Sequence, residues 1–213
     1  MKKYLLLFSL ILLHTLSFAY QSGDKTLGIS LNTAIPCLGS DWGEFNVVNV
    51  TTGIEHDAKL GDPSLGFNIH GFYFLSRRIA LGLSFGYDYF PTDRASGLEL
   101  NVNTKSLHYM LLSRIYLNPQ NSLQFYLPLG LGIANTRTSI EMGKTEHFQN
   151  TNWAASIGLG MEYMVSTHIG LNVEARYNYN RFKTSKFTAQ QEYVKLFPQA
   201  SYISYSAGLF YKF

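Results

Sequence analysis

Four ionisable side chains stand out because they interrupt segments that otherwise alternate between bulky apolar and small residues. An uncompensated charge in a nonpolar interior costs several kcal/mol, so we expect two acids and two bases in such a setting to form ion pairs. A paired network of this kind either fills an interior space or lines a gated, very narrow conduit. The four residues are Arg114, Glu162, Glu174 and Arg176.

His70, Ser84 and Asp88 are the residue types of a nucleophilic triad, in which a base activates a hydroxyl and an acid orients the base. His70 and Ser84 lie opposite each other if their segments pair as neighbouring strands, with Asp88 further along the second strand. We favour a hydrogen-bonded interior network, because a closed interior gives a substrate no access. His147 is expected in an outer loop without a serine partner. We therefore predict no catalytic residues.

Common cofactor and metal motifs do not occur in the sequence, which has no phosphate-binding loop, paired-cysteine site or HExxH. Residues 129–132 (LGLG) and 157–160 (IGLG) superficially resemble nucleotide-binding loops, but they lie within alternating segments and no helix follows them. Cys37 is the single cysteine, so it cannot form an internal disulfide. We expect no cofactor and no metal.

The segment IALGLSFGYDYF at residues 79–90 shows the pattern that must position these groups. Bulky residues such as Leu83 and Phe85 alternate with small ones such as Gly82 and Ser84. Period-two alternation indicates a β-strand, because successive side chains point to opposite faces. Glycine weakens a strand that faces bulk water. The small face is therefore expected to line a crowded interior, and the bulky face to contact lipid.

The same alternation recurs along the chain and predicts eight strands. No run of about 18 apolar residues follows position 19, so any membrane-spanning segment must be a strand. The predicted strands are Thr26–Ile35, Ser64–Leu75, 79–90, Leu98–Leu117, Leu123–Ala134, Asn152–Val165, Ile169–Phe182 and Ala200–Phe213.

The predicted connections alternate in length. Three are short (76–78, 118–122 and 166–168), and the other four are long and polar (36–63, 91–97, 135–151 and 183–199). Short turns at one end and long loops at the other are typical of an up-and-down barrel inserted from one side of a membrane. The sequence thus predicts an all-β fold, an eight-stranded antiparallel up-and-down transmembrane β-barrel whose long loops are extracellular.

The N-terminus has the pattern of an export signal. Lys2 and Lys3 precede an apolar run, and Ser17 and Ala19 occupy the two positions that a signal peptidase reads. We expect a signal peptide at residues 1–19, with cleavage after Ala19, and a barrel domain at residues 20–213.

Overall charge points away from nucleic acid as a partner. Of the 213 residues, 15% are charged, against about 25% in soluble domains. Removing Lys2 and Lys3 leaves 15 basic residues against 14 acidic ones and lowers the net charge from +3 to +1. No acidic surface or nucleic acid is implied by so small an excess.

Aromatic residues gather at the two predicted ends of the strands, and Leu and Ile fill the middle. Two aromatic girdles around an aliphatic band match the two interfaces of a membrane. The outer set comprises Tyr87, Tyr89, Phe90, Trp153, Tyr177, Tyr179 and Phe182, and the inner set Tyr73, Phe125, Tyr163, Tyr211 and Phe213.

The closing stretch ISYSAGLFYKF places Leu209, Tyr211 and Phe213 in the lipid-facing phase. Together with the signal peptide, the eight strands and the unequal loops, it resembles small Gram-negative outer-membrane barrels of the OmpA, OmpX and opacity-protein type across residues 20–213. The resemblance implies location in the outer membrane, contact with its lipids, and a C-terminal aromatic signal read by the barrel-assembly machinery. This fold hosts many activities.

The function expected from these observations is envelope structure or surface adhesion, with four outer loops that bind a host or matrix ligand. A small pore or transporter is the first alternative, and a lipid hydrolase at the rim is the second. A soluble ligand-binding barrel, with the bulky stripe inside, is a third alternative. The main hypothesis includes no catalytic role.

Overall fold

The computed structural model describes residues 20–36, 44–49, 55–59, 63–90, 101–142, 144–181, 185–189, 192–196 and 199–213. No helix in these residues is long and apolar enough to cross a membrane. Twelve strands are present in them: β1 (Lys25–Pro36), β2 (Glu44–Asn49), β3 (Glu55–Lys59), β4 (Leu65–Phe74), β5 (Ile79–Phe90), β6 (Asn101–Tyr116), β7 (Leu123–Met142), β8 (Lys144–Met164), β9 (Ile169–Arg181), β10 (Ser185–Ala189), β11 (Glu192–Leu196) and β12 (Gln199–Lys212).

Eight of these strands close into an antiparallel barrel in the order β1-β12-β9-β8-β7-β6-β5-β4. The first and last strands pair along most of their length, from Thr26 opposite Lys212 to Pro36 opposite Tyr202. The eight-stranded barrel is therefore confirmed. Predicted and observed strand bounds agree within three residues, except where β7 and β8 extend towards their hairpin.

The two faces of each barrel strand follow the alternation of the sequence. Leu131 is 67% exposed on the outside, whereas its neighbour Gly130 is buried. Large exposed apolar side chains cover the outside of all eight barrel strands. An apolar belt of this extent suits lipid and not water. A soluble barrel with the bulky stripe inside is therefore wrong.

The barrel has a turn end and a loop end. Connections 75–78, 117–122 and 165–168 lie at the turn end, together with the segment 20–24 and Phe213. Their chain reversals are held by local hydrogen bonds, for example from the backbone N–H groups of Arg78 and Ile79 to the Ser76 hydroxyl, 3.2 Å each. In outer-membrane barrels the short turns are periplasmic, so the loop end is taken as extracellular.

The prediction of an irregular loop at residues 135–151 is wrong. Strands β7 and β8 stay paired through this region, from Asn135 opposite Thr151 to Met142 opposite Lys144. Cross-strand side-chain bonds support the extension, including Gln149 Nε2 to Asn135 Oδ1 at 3.2 Å. Antiparallel pairing needs only continued backbone hydrogen bonding, so it does not stop where the lipid ends.

Two of the other long connections contain strands that the sequence analysis did not predict. Strands β2 and β3 lie within residues 36–63, and β10 and β11 lie within residues 183–199. They form a separate antiparallel sheet in the order β10-β11-β2-β3, which we call the loop sheet. The predicted signal peptide (1–19), Cys37 and the predicted loop 91–97 lie outside the described residues.

The loop sheet repeats the order of the barrel wall from which it emerges. In the barrel, β9, β12, β1 and β4 are consecutive neighbours. Along the chain, β10 follows β9, β11 precedes β12, β2 follows β1, and β3 precedes β4. The chain passes that are adjacent in the wall are therefore adjacent again in the loop sheet.

Candidate functional site

The four predicted charged residues lie together in the barrel interior. Arg114 comes from β6, Glu162 from β8, and Glu174 and Arg176 from β9. The inward phase of each strand directs these side chains to the axis. Gly160 lies directly opposite Glu174 on the neighbouring strand, and a Cβ at Gly160 would overlap the Tyr126 ring. The small residues in the inward phase thus leave room for the long charged ones.

Ion pairs connect these four residues, which we call the lumen cluster. Arg114 bridges the barrel by donating one guanidinium nitrogen to Glu162 and another to Glu174. Arg176 binds the second oxygen of Glu174. The cluster contains two positive and two negative groups. Its charges compensate one another, as a buried network requires.

Three tyrosine hydroxyls complete the hydrogen bonding of the two carboxylates. Tyr20 and Tyr116 each donate to Oε2 of Glu162 at 2.9 Å. Tyr126 donates to Oε1 of Glu174 at 2.7 Å. Hydrogen bonds to a charged acceptor are stronger than neutral ones. These phenols fix the orientation of both acids.

Aromatic rings close the interior on the turn side of the lumen cluster. The Arg114 guanidinium carbon lies 4.0 Å from the centroid of the Phe72 ring and 4.5 Å from that of Tyr126, in cation–π geometry. Tyr20 stacks on Phe74 with a centroid separation of 3.8 Å. The buried rings, which we call the aromatic cluster, are Tyr20, Phe72, Phe74, Tyr116, Tyr126 and Phe210.

Tyr20 is a site residue that the sequence analysis missed. It precedes β1, yet its side chain is fully buried inside the barrel. Gly23, with φ of 97°, turns the chain back, and Asp24 Oδ2 accepts the backbone N–H of Gln21 at 2.8 Å. Burial, with a smaller contribution from Glu162, raises the pKa of the Tyr20 hydroxyl well above its usual value, so it remains a donor. The sequence feature that could have identified Tyr20 is an aromatic residue shortly before a Gly-Asp turn.

A polar chamber lies above the lumen cluster, towards the loop end. It is a cavity of about 60 Å³ whose lining includes Asn32, Asn68, His108, Asn178 and Ser204. Glu174 and Arg176 also line it, so the lumen cluster borders the chamber. A water molecule needs about 10 to 15 Å³ of such space, so the chamber suits a few waters and not an organic ligand.

The chamber contains polar atoms without a partner in the described part of the chain. The side-chain oxygens Asn32 Oδ1 and Asn68 Oδ1 are buried, and no described residue forms a hydrogen bond with them. Burying a polar group without a hydrogen bond costs free energy, whereas a buried water molecule can supply that hydrogen bond. The chamber is therefore suited to hydration.

The triad candidates are adjacent but are not arranged for catalysis. His70 lies opposite Ser84 in the pairing of β4 with β5, as the sequence analysis expected. Among the described residues Nε2 of His70 nevertheless has no hydrogen-bond partner, and Asp88 Oδ2 instead lies 3.2 Å from Nε2 of His108. His70 and Asp88 are both buried in the interior. The described residues contain no group of three His, Cys, Asp or Glu side chains placed to hold a metal ion.

His147 has a serine partner, contrary to the prediction. Its Nδ1 lies 2.9 Å from the Ser139 hydroxyl across the β7–β8 hairpin. The strand extension that places these two residues opposite each other was not predicted. The imidazole is exposed, and the pair forms one cross-strand hydrogen bond on the hairpin surface.

Leu209, Tyr211 and Phe213 lie on the outside of β12, near its turn end, and are exposed. The Tyr211 ring contacts the Phe213 ring edge-on at 5.0 Å and stacks on His168 at 5.6 Å between centroids. The three side chains thus form an accessible apolar edge at the end of the chain.

A family model described as the outer membrane protein beta-barrel domain matches residues 7–213. The chain belongs to this family. The resemblance to small outer-membrane barrels is therefore confirmed, and so is location in the outer membrane of a Gram-negative bacterium. No curated protein matches the chain in sequence.

Solved outer-membrane barrels share the fold at low sequence identity. OprG from Pseudomonas aeruginosa is 16% identical, with a TM-score of 0.58 over 92% of this chain and 98% of that one. AlkL, whose structure was determined in DMPC lipid bilayers, is 22% identical, with a TM-score of 0.57 over 92% and 93%. Ail of Yersinia pestis is 17% identical, with a TM-score of 0.49 over 91% and 100%. These likenesses describe the fold and leave the activity open.

Proposed function

We propose that the protein is a non-conducting outer-membrane barrel that serves envelope structure or surface adhesion through its extracellular strands. The observation that carries the proposal is Arg114, which crosses the lumen to two carboxylates from different strands and is packed against aromatic rings. An eight-stranded barrel encloses little more space than its own side chains need. The interior therefore acts as a structural core, and contact with other molecules falls to the outside.

Closure of the lumen supports this assignment. The aromatic cluster and three members of the lumen cluster, Arg114, Glu162 and Glu174, are buried in the interior, and Arg176 is half-buried at the border of the chamber. Glu162 and Glu174 each have partners for both oxygens. A water path through this region would require breaking several charge-assisted hydrogen bonds at once. Steady conduction is therefore disfavoured.

The loop end supplies the surface for contact. The loop sheet is a separate sheet that joins two distant connections, whereas the β7–β8 hairpin only continues two strands of the barrel wall, so we assign the contact surface to the loop sheet. Ordered strands present a fixed surface, so binding a host or matrix ligand costs less conformational entropy than ordering free loops. Outer-membrane lipids surround the apolar belt below.

Adhesion is tested by removing the loop sheet while keeping the barrel. Residues 44–59 and 185–196 are replaced by short Gly-Ser linkers, and residues 136–150 of the hairpin are shortened in a matched control. Cells producing each form are measured for adherence to immobilised matrix proteins and glycans, with barrel folding checked by heat-modifiable gel mobility. We expect the first change to lower adherence and the hairpin control to retain it. Equal adherence of the wild type and of cells without the protein contradicts the adhesion role.

A small pore or transporter is the second candidate function, and the polar chamber favours it. The chamber is lined by hydrophilic groups and borders the lumen cluster from the loop side. Reconstitution in a planar bilayer separates the two functions. We expect no steady currents from the wild type. If the wild type gave single-channel currents and the Arg176→Gln change altered them, the barrel would be a gated conduit and not a closed barrel.

The rim-located lipid hydrolase has less support. His70 and Ser84 face the interior, and His70 Nε2 does not bond to the serine. The exposed Ser139 and His147 form one cross-strand hydrogen bond on the hairpin. The proposed role is accordingly non-catalytic. Turnover of phospholipid or lipid A by the purified barrel would contradict it.

A further inference from the structure

Two neighbouring turns enclose a cavity at the turn end of the barrel. The backbone N–H of Tyr116 donates to the carbonyl of Arg78 at 2.8 Å, which brings the β4–β5 turn beside the β6–β7 turn. The cavity between them measures about 290 Å³. Its walls are Arg77 and Arg78 on one side and Leu117, Asn118, Pro119, Gln120 and Asn121 on the other.

Both turns are held in shape by their own hydrogen bonds. Ser76 accepts the backbone N–H groups of Arg78 and Ile79. The Asn118 amide donates to the carbonyl of Leu123 at 2.8 Å and accepts the backbone N–H of Phe125 at 2.6 Å. A ligand that entered the cavity would meet walls already in place, which reduces the entropic cost of binding.

The cavity carries positive charge that the described part of the chain does not neutralise. Arg77 and Arg78 are both exposed, and neither forms an ion pair with a described residue. Asp24 lies at the same end, but its Oδ2 already binds Lys212 Nζ at 2.7 Å. The two guanidinium groups offer only donors to an anion, and their planar forks suit phosphate oxygens. The side-chain amides of Gln120 and Asn121 can each add an NH2 donor.

The position of the cavity relative to the lipid identifies the source of the anion. Leu75, Ile79 and Leu117 flank the two turns and are exposed on the lipid-facing side. Aromatic side chains of the turn-end girdle, such as Phe125, lie at the same level. Such girdles mark the depth of the lipid headgroups. We therefore expect lipid acyl chains beside these three aliphatic residues, with the lipid phosphates at the depth of the arginines.

We propose that this cavity is a binding site for the phosphodiester of a phospholipid headgroup in the periplasmic leaflet. Arg77 and Arg78 bind the phosphate oxygens, Gln120 and Asn121 donate to the headgroup, and the acyl chains lie on Leu75, Ile79 and Leu117. The site differs from a diffuse basic surface because both arginines and both turns must contribute. It is independent of the adhesion proposal, since it lies at the opposite end of the barrel.

Native mass spectrometry of the detergent-purified full barrel, titrated with phosphatidylglycerol, tests the site. The double variant Arg77→Gln/Arg78→Gln is compared with Lys25→Gln/Arg137→Gln, which removes the same charge from exposed positions outside the cavity. We expect the first variant to weaken lipid retention by about tenfold or more, because it removes two basic residues that attract the lipid headgroup. We expect the control to stay within about twofold of the wild type, since its charges lie outside the cavity.

Further arms separate the alternatives. Arg77→Lys/Arg78→Lys keeps the charge but loses the guanidinium fork, and we expect intermediate retention. Heat-modifiable gel mobility confirms folding of every variant. If the glutamine variant and its control lose equal amounts of bound lipid, the lipid is held by diffuse electrostatic attraction and the proposed site in the cavity is overturned. If millimolar inorganic phosphate displaces the lipid, the cavity is a site for free phosphate and the lipid-site proposal is overturned. If the wild type retains no lipid, the proposal is also overturned.

Discussion

The hydroxyl of Tyr20 donates a hydrogen bond of 2.9 Å to Oε2 of Glu162, although 142 positions separate the two residues. This bond ties the segment before β1 to the interior face of β8. It also places a residue from the N-terminal segment inside a charge network built by β6, β8 and β9. The turn-side closure of the lumen is thus shared between the barrel wall and the chain that leads into it.

Tyr20→Phe removes this donor while keeping the ring that stacks on Phe74. A lost hydrogen bond to a buried charge costs about 1.5 to 3 kcal/mol, so we expect the free energy of unfolding to fall by about that amount. Denaturant unfolding in lipid vesicles measures the change. Tyr109→Phe, which removes a hydroxyl on the lipid-facing side, is the control and should have little effect. Equal stability of wild type and Tyr20→Phe would remove Tyr20 from the network.

Arg114→Met and Arg176→Met should differ in cost. Arg114 pairs with both Glu162 and Glu174, so its loss leaves two buried carboxylates without their shared cation and should cost about 3 to 5 kcal/mol. Loss of Arg176 leaves Glu174 still bound to Arg114, and should cost about 1 to 3 kcal/mol. Both values are measured from unfolding in lipid vesicles. The reverse ranking would show that Arg176 is the more important cation.

Leu131→Arg tests the assignment of the lipid-facing side. A charge near the middle of the apolar belt should lower the free energy of unfolding by about 2 to 4 kcal/mol, and the cost should fall towards the interfaces. Gln149→Arg, on the exposed β7–β8 hairpin, is the matched control and should cost little. If reversible unfolding gave similar costs for the two variants, β7 would not cross the lipid at Leu131.

Orientation is tested with inserted epitopes. An epitope at Gly143, between β7 and β8 in the sequence, should be labelled by antibody on intact cells, because the paired ends of these two strands lie at the loop end. The same epitope at Gln120, in the β6–β7 turn, should be labelled only after permeabilisation. Insertion is best tolerated at exposed connections such as these. Labelling of intact cells at Gln120, with none at Gly143, would show that the barrel has the opposite orientation in the membrane.

We propose that Leu209, Tyr211 and Phe213 act as the signal for the barrel-assembly machinery. Phe213→Ala keeps the backbone N–H that donates to the Lys25 carbonyl at 2.9 Å and removes only the terminal ring. We expect fewer folded barrels in cells, while spontaneous refolding in detergent stays unchanged. Phe213→Trp, which keeps an aromatic ring, should restore assembly. Unchanged assembly of the alanine variant in cells argues against the signal.

The barrel strands were predictable because each has one face on lipid and one on a narrow interior. That difference forces residues such as Leu83 and Gly82 into strict alternation, and the phase also directed Arg114 and Glu162 inward. The aromatic cluster was partly predictable for the same reason, since Phe72 and Phe74 share the inward phase. A physical constraint on both faces of a strand leaves a readable pattern.

The strands of the loop sheet lack this constraint and were not predicted. No lipid imposes alternation on β2, β3, β10 or β11, and their pairing depends on barrel strands that bring distant loops together. Tyr20 was missed because it belongs to no strand. The ion-pair partners within the lumen cluster likewise depend on barrel registration, which the sequence does not specify.

Pairing between β11 and β2 links the formation of the loop sheet to the closure of the barrel. It joins chain passes on either side of the seam where the first and last barrel strands meet, with Lys195 opposite Asn46. These segments come from opposite ends of the sequence, so the entropy of joining them falls once the seam has formed. The pairing of β11 with β2 is therefore favoured once the seam has formed. An antibody specific for the paired sheet would recognise only barrels that have closed, and would serve as a reporter of completed biogenesis on the cell surface.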